Sequence, residues 1–173
     1  MTENPLEKYG VEIPEWYQGY VNSIGNSDFT DVLLNQYTAT PGFLEKIPVE
    51  KWDYSYASGK WTIKELLIHV IDCERIFAYR ALRFARNDQT ELPGFEENDY
   101  APNSGALKRS PESIINEYKA VRKSTIELFN NFDQEMLFRC GTANGKKFSV
   151  KLSGVIIAGH EMHHLKILKE RYL

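Results

Sequence analysis

The chain has 173 residues, 42% hydrophobic and 26% charged, a composition typical of a single folded domain over residues 1–173 with an apolar core. Its net charge of −3 argues against a nucleic-acid partner, because such proteins concentrate basic residues on one surface. No apolar run approaches the roughly 20 residues of a membrane helix, and the N-terminus has no apolar export signal. Cys73 and Cys140 alone make no disulfide framework, so we expect reduced thiols in a cytoplasmic protein.

The chain is predicted to begin with an N-terminal arm over residues 1–26, which contains a short helical turn. Its aromatic residues indicate either packing on the body of the protein or the surface of a homodimer. Asp28 can cap a first long helix from about 28 to 46. Pro41 lies inside this stretch, and we expect it to kink or break the helix.

The second helix has the strongest local signal. Thr62 and Glu65 have the spacing of a capping box, and apolar residues recur at helical spacing from Ile63 to about Arg86. A polar, acidic segment with several prolines and glycines follows, from about 87 to 109. It is long enough to cross the bundle from one end to the other, so the second and third helices could run parallel.

Two further helices complete the predicted fold. A serine and a proline open a third helix from about 110 to 132. The Asn-Gly pair at 144–145 indicates a tight turn, which could belong to a small hairpin. A fourth helix begins at Ser149 or Ser153 and runs almost to the last residue. Four long amphipathic helices in a chain of this size predict an all-α four-helix bundle.

Three of the four histidines fall within residues 160–164. At about 100° per residue, His160 and His164 lie on the apolar face of the fourth helix, and His163 lies on its polar face. Two buried imidazoles are costly unless they are hydrogen-bonded or ligated, and their spacing of four residues suits a shared metal ion. His69, on the second helix, is the only histidine left that could supply a third ligand from a facing helix.

His160, Glu161 and His164 also match the HExxH motif of zinc peptidases. The extended form of that motif requires a glycine at position 167 and a histidine at position 170. This chain has Ile167 and Glu170 there. We therefore interpret the match as a coincidence of a short motif and reject the peptidase function.

Several features are spread over the chain from about residue 17 to the C-terminus: YASGKWTIKE at 56–65, His69, Asp72, Glu74-Arg75 and AGHEMHHL at 158–165. Together they resemble the DinB/YfiT-like superfamily. The resemblance implies a four-helix bundle with up-down-down-up topology and a long crossover between helices two and three. It also implies a divalent metal ion held by His69, His160 and His164, with zinc or nickel as the first candidates and iron or manganese as further ones.

The function that the resemblance implies is that of a metal-dependent enzyme acting on a small molecule. Members of the superfamily include S-transferases that use low-molecular-weight thiols, and a hydrolase is the other candidate. Three neutral imidazoles leave coordination positions open, so a bound ion could activate either a water molecule or a thiol. A bundle that binds a metal or ligand without catalysis is the alternative.

Three carboxylates are candidates for supporting roles. Asp72 could orient a histidine ligand, with a solvated helix carboxylate as the alternative. Glu161 could act as a base, with a surface glutamate as the alternative. Glu74 lies near the centre of an apolar stripe, where an unpaired carboxylate is costly, and we expect it to pair with Arg80 or Arg171.

Overall fold

Residues 4–173 are described by a computed structural model, and most of them are helical. The elements are α1 (Pro5–Tyr9), α2 (Gln18–Ile24), α3 (Phe29–Leu44), α4 (Ile63–Ala85), α5 (Glu97–Asn103), α6 (Pro111–Asn130), α7 (Gln134–Phe138), β1 (Cys140–Ala143), β2 (Lys146–Ser149) and α8 (Val150–Ile167). A π-helical turn over Leu168–Tyr172 extends α8. The predicted arm corresponds to α1 and α2, and its first three residues lie outside the described part. Among residues 4–173, no helix combines the length and apolarity needed to cross a membrane.

The long helices begin at the predicted capping residues. Thr62 Oγ1 accepts a hydrogen bond from the Glu65 backbone N–H at 3.2 Å, and Glu65 Oε2 accepts one from the Thr62 backbone N–H at 2.8 Å. Asp28, Ser110 and Ser149 accept bonds from the first turns of α3, α6 and α8 in the same way. These side chains satisfy N–H groups that have no partner within the helix, which confirms the predicted starts.

The expected break at Pro41 does not occur. α3 runs without interruption from Phe29 to Leu44, and the proline is buried in its last turn. A proline removes the hydrogen bond from position 41 to the carbonyl of residue 37, but only three helical residues follow it. Packing of the apolar ring in the core favours the continuous helix.

The crossover between α4 and α6 contains α5 and a contact with a small hairpin. β1 and β2 pair antiparallel, with the Asn-Gly pair at 144–145 in the turn, so the predicted hairpin is confirmed. Within the crossover, the Leu92 backbone N–H donates to Thr142 O at 3.0 Å, and Leu92 O accepts from the Asn144 N–H at 2.9 Å. The hairpin thereby fixes one point of a long connection.

The four long helices form a ring in which α4 contacts α6 and α8, and α3 contacts the same two helices. Two apolar clusters fill the ring. One takes the first parts of α3 and α8 with the last parts of α4 and α6, and the other takes the opposite ends. Between the clusters lies a layer of buried polar side chains: Gln36, Thr40, Glu74, Arg122, His160, Glu161 and His164. The polar groups of the interior are therefore concentrated in the middle of the bundle.

The arm reaches this polar layer because α2 lies close against α8. A Cβ atom at position 159 would lie only 2.2 Å from the backbone oxygen of Tyr20, so glycine is required for this approach. The Tyr20 ring then packs edge-on against His160, with ring centroids 5.3 Å apart. Gly159 thus sets the position of an aromatic side chain beside the histidines.

We predict that Gly159→Ala moves α2 away from α8 and lowers the free energy of unfolding by about 1–3 kcal/mol, because the obstructing atom belongs to the backbone. Gly19→Ala is the matched control. Gly19 lies on α2, the helix that contacts Gly159, and a new Cβ there has no atom within 4 Å. Urea denaturation followed by circular dichroism measures both variants. Equal stability of the two would contradict the close contact.

Candidate metal centre

Three histidine side chains converge from two helices at the polar layer. His160 Nε2 lies 3.0 Å from His69 Nε2 and 3.0 Å from His164 Nε2, and one ring nitrogen from each residue falls within 4.8 Å of the others. The three rings are at most 9% exposed, whereas His163 is exposed. The helical spacing predicted two buried histidines and one exposed histidine on α8, and this prediction is confirmed.

Burial keeps these imidazoles neutral. It lowers the pKa of His69 to about 4 and that of His164 to about 3. Burial, reinforced by the neighbouring His164 and His69, also lowers the pKa of His160. A neutral Nε2 has either one proton or one lone pair, so His160 Nε2 cannot form two good hydrogen bonds with its neighbours. A cation among the three nitrogens would interact with three lone pairs at once.

A thiol lies beside the His69 ring. Cys73 Sγ lies 3.6 Å from His69 Nδ1, because residues four apart share one face of a helix. Burial raises the pKa of the Cys73 thiol, which therefore stays protonated at neutral pH. Both cysteines of the described chain are unpaired. His164 Nδ1 is enclosed without a hydrogen-bond partner among residues 4–173.

Asp72 forms an ion pair with Arg75, and the hydrogen-bond partners of His69 among the described residues are His160 and Cys73. The Oδ1 atom of Asp72 is 3.5 Å from Arg75 Nη1, and Arg75 also pairs with Glu117 at 2.6 Å. Burial raises the pKa of Asp72, although Arg75 opposes the shift. The role of Asp72 as a catalytic-site carboxylate that orients a histidine ligand stays a prediction.

Glu161 is 1% exposed, so its interpretation as a surface glutamate is wrong. Its Oε1 atom accepts a hydrogen bond from Thr40 Oγ1 at 2.6 Å, and Tyr118 Oη donates to both carboxylate oxygens at 2.9–3.0 Å. Arg122 Nη2 donates to Oε2 at 2.6 Å. The carboxylate is therefore held inside the bundle, and its role as a base stays a prediction.

Glu74 is paired with Arg122, so the expected pairing with Arg80 or Arg171 is wrong. Arg122 Nε and Nη2 donate to the two Glu74 oxygens at 2.8 and 2.7 Å. The helical spacing correctly placed Glu74 on a buried face of its helix. That spacing contains no information on which cation of another helix lies opposite.

Arg122 is the centre of this network. It is 0% exposed, and its Nη1 atom donates to Gln36 Oε1 at 2.7 Å. Burial lowers the pKa of Arg122, but Glu161 and Glu74 outweigh that effect and raise it above its ordinary value. One guanidinium thus links α3, α4, α6 and α8.

A cleft of about 1550 Å³ opens beside the three histidines, which form part of its wall. Aromatic rings line much of the rest: Tyr17, Tyr20, Trp61, Phe77, Phe95 and Phe148. The Trp61 ring lies 4.7 Å from that of His69. Burial raises the pKa of Tyr20 to about 12, which keeps its phenol protonated. Neither Asp72 nor Glu161 lines this cleft among the described residues.

The aromatic wall of the cleft was missed at the sequence level. The aromatic residues of the arm predict only packing or dimer contacts, and nothing in their spacing relates them to a histidine 140 residues later. Their function as a wall depends on the approach of α2 to α8. Only the glycine before His160 is a local signal for that approach.

We predict that Arg122→Met lowers the free energy of unfolding by about 3–5 kcal/mol, because two buried carboxylates lose their cation. Arg75→Met is the matched control. Arg75 also faces two carboxylates, but its side chain is 48% exposed, so a change within about 1 kcal/mol is expected. Urea denaturation measures both, and a mild effect at Arg122 would show that the buried carboxylates need no cation.

Comparison with known proteins supports the fold and the family. The sequence profile of the DinB superfamily matches residues 33–168. YfiT from Bacillus subtilis matches in structure with a TM-score of 0.64 and 13% sequence identity, over 92% of this chain and 87% of that one. That protein is described as a probable metal-dependent hydrolase with an unusual four-helix bundle topology. No curated protein matches by sequence. The similarity to YfiT confirms the four-helix bundle.

Proposed function

The chain belongs to the DinB superfamily, and from that premise we propose that it is a metal-dependent enzyme acting on a small molecule. The proposed ligands of the divalent ion are His69, His160 and His164. The observation that carries the proposal is the convergence of three neutral, buried imidazole nitrogens at the wall of an open cleft. A core histidine would instead have its nitrogens satisfied by separate polar partners.

The donor set fits a metal ion of the first transition row. Nitrogens bound tetrahedrally at zinc–nitrogen distances of 2.0–2.1 Å are about 3.3 Å apart, close to the two separations of 3.0 Å. Imidazole ligands suit zinc and nickel, with iron and manganese as further candidates. Three protein ligands leave positions open for reactants, which is the pattern of catalytic rather than structural sites.

We propose a hydrolase or a thiol S-transferase. When bound, such an ion acts as a Lewis acid that activates a water molecule or a thiol. The histidines hold it at the wall of the cleft, and the aromatic side chains exclude water around the substrate. The description of YfiT as a probable metal-dependent hydrolase supports the first reaction. The cleft volume of about 1550 Å³ supports the second, because it has room for a thiol and an electrophile together. Asp72 remains the carboxylate proposed to orient a histidine ligand, and Glu161 remains the proposed base.

We further infer an up-down-down-up order for α3, α4, α6 and α8. The support is the membership of the two apolar clusters, in which the first parts of α3 and α8 share a cluster with the last parts of α4 and α6. This order makes α4 and α6 parallel, as the length of the crossover allows. A cytoplasmic location, a homodimer and the absence of a nucleic-acid partner stay predictions.

The metal ligands are tested by single substitutions. We predict that His160→Ala and His164→Ala abolish binding of about one divalent ion per chain, and that His69→Ala weakens it by roughly tenfold or more. His163→Ala is the matched control, because this neighbouring histidine is exposed and should be dispensable. Elemental analysis and competition with a chelator measure the binding. Parental affinity in His69→Ala protein would refute the three-histidine site.

Catalysis is tested by turnover of the metal-loaded protein on small esters and amides, and on a cysteine-based thiol paired with 1-chloro-2,4-dinitrobenzene. We expect turnover that a chelator removes, that added metal restores, and that His163→Ala retains. Hydrolysis without thiol identifies the hydrolase, and strict dependence on thiol identifies the transferase. Tight metal binding without any turnover would favour the non-catalytic bundle.

A further inference from the structure

Arg80 is a buried guanidinium in the wall of the cleft. It is 3% exposed, and no carboxylate lies within ion-pair distance of it among residues 4–173. Its Nη2 atom donates to Pro93 O at 3.0 Å, and the phenol oxygen of Tyr17 lies nearby. A guanidinium has five N–H donors, so these two neutral oxygens leave most of its hydrogen-bonding capacity and all of its charge unmatched.

Two aromatic rings hold this cation in a defined orientation. The guanidinium carbon lies 5.1 Å from the ring centroid of Phe77 and 6.0 Å from that of Phe95. Burial lowers the pKa of Arg80 from its ordinary value, which reflects the cost of enclosing an unpaired charge. Arg122, the other buried arginine among residues 4–173, has two carboxylates instead. Burial of the unpaired Arg80 charge therefore costs free energy, and a bound anionic ligand could offset this cost.

Arg80 lies at a fixed distance from the histidines along α4. It follows His69 by eleven residues, which is about 16 Å along a helix axis. Both side chains lean toward the N-terminus of the helix, and the longer arginine leans further, so the guanidinium and the imidazole are separated by somewhat less than about 16 Å. Aromatic rings line the cleft between these two points, among them Tyr17, Tyr20 and Phe77.

We propose that Arg80 binds the carboxylate of an elongated small-molecule substrate whose reacting group lies at the three histidines. The proposal rests on the function proposed above for those histidines. The guanidinium fork matches a carboxylate with two parallel hydrogen bonds, and the aromatic wall suits an apolar middle. Glu96 and Glu97 also line the cleft, and their charges disfavour a phosphate dianion more than a carboxylate.

The charge of the ligand is tested on metal-free protein by calorimetry with 3-phenylpropanoate, 3-phenylpropan-1-ol and 3-phenylpropyl phosphate. We expect the parent to bind the carboxylate about tenfold more tightly than the alcohol and more tightly than the phosphate. Arg80→Gln should abolish this preference, and Arg80→Lys should keep part of it. Lys147→Gln is the matched control, because it removes an exposed positive charge from the same cleft and should keep the preference.

Equal affinity for the carboxylate and the alcohol, or a preference retained by folded Arg80→Gln protein, would overturn the proposal. Tighter, Arg80-dependent binding of the phosphate would overturn the choice of carboxylate. Circular dichroism establishes that each variant is folded. If Arg80→Gln does not fold, Arg80→Lys decides, because an undiminished preference in that variant would refute recognition by the guanidinium fork.

The distance to the histidines is tested on nickel-loaded protein with mercaptoalkanoates of increasing chain length, with thiolate-to-metal absorption as the readout. Affinity should rise to a maximum at the length that joins the metal to Arg80, and Arg80→Gln should remove the maximum. A flat length dependence in the parent would overturn the proposed distance. Failure of the parent to bind nickel, zinc, iron or manganese would refute the metal site and leave the result on metal-free protein intact, so the two proposals fail separately.

Discussion

The contact of Arg122 with Glu74 and Glu161 is the constraint on which the rest of the bundle depends. All three groups are at most 2% exposed, so the cost of removing them from water is offset only while their hydrogen bonds keep good geometry. Apolar packing tolerates small shifts of one helix along another, whereas bonds of 2.6–2.8 Å do not. Because α3, α4, α6 and α8 each contribute to this network, it selects one register of the four helices.

The same network determines how the histidines face the cleft. His160 and Glu161 are neighbours on α8, and their side chains diverge by about 100° around the helix axis. Binding of Glu161 by Arg122, Tyr118 and Thr40 fixes the rotation of α8 and leaves His160 and His164 toward α4. On α4, the pairing of Glu74 with Arg122 fixes the helix that provides His69. The candidate ligands are thus positioned by contacts on other faces of their own helices.

How much could be predicted from the sequence depends on the range of the interactions involved. Helix starts such as Thr62 and the orientation of His160 against His163 follow from residues within one or two turns, and both were predicted correctly. The partner of Glu74 was not predicted correctly, because Arg122 lies on a different helix. A single sequence does not specify which faces of two helices contact each other. The alternative of a surface glutamate at position 161 was wrong for the same reason. The partners that offset the cost of burying Glu161 are remote in sequence.

The two buried arginines separate stability from function. Arg122 meets two carboxylates, and such complete pairing is what a folded interior requires of a charge. Arg80 meets only neutral oxygens and aromatic rings, although Glu96 and Glu97 line the same cleft. A bundle selected for stability alone would pair this guanidinium or replace it. An unpaired cation and three converging neutral imidazoles in one cleft are both locally unfavourable, and both costs fall when one molecule with an anionic end and a metal-directed end occupies the space between them.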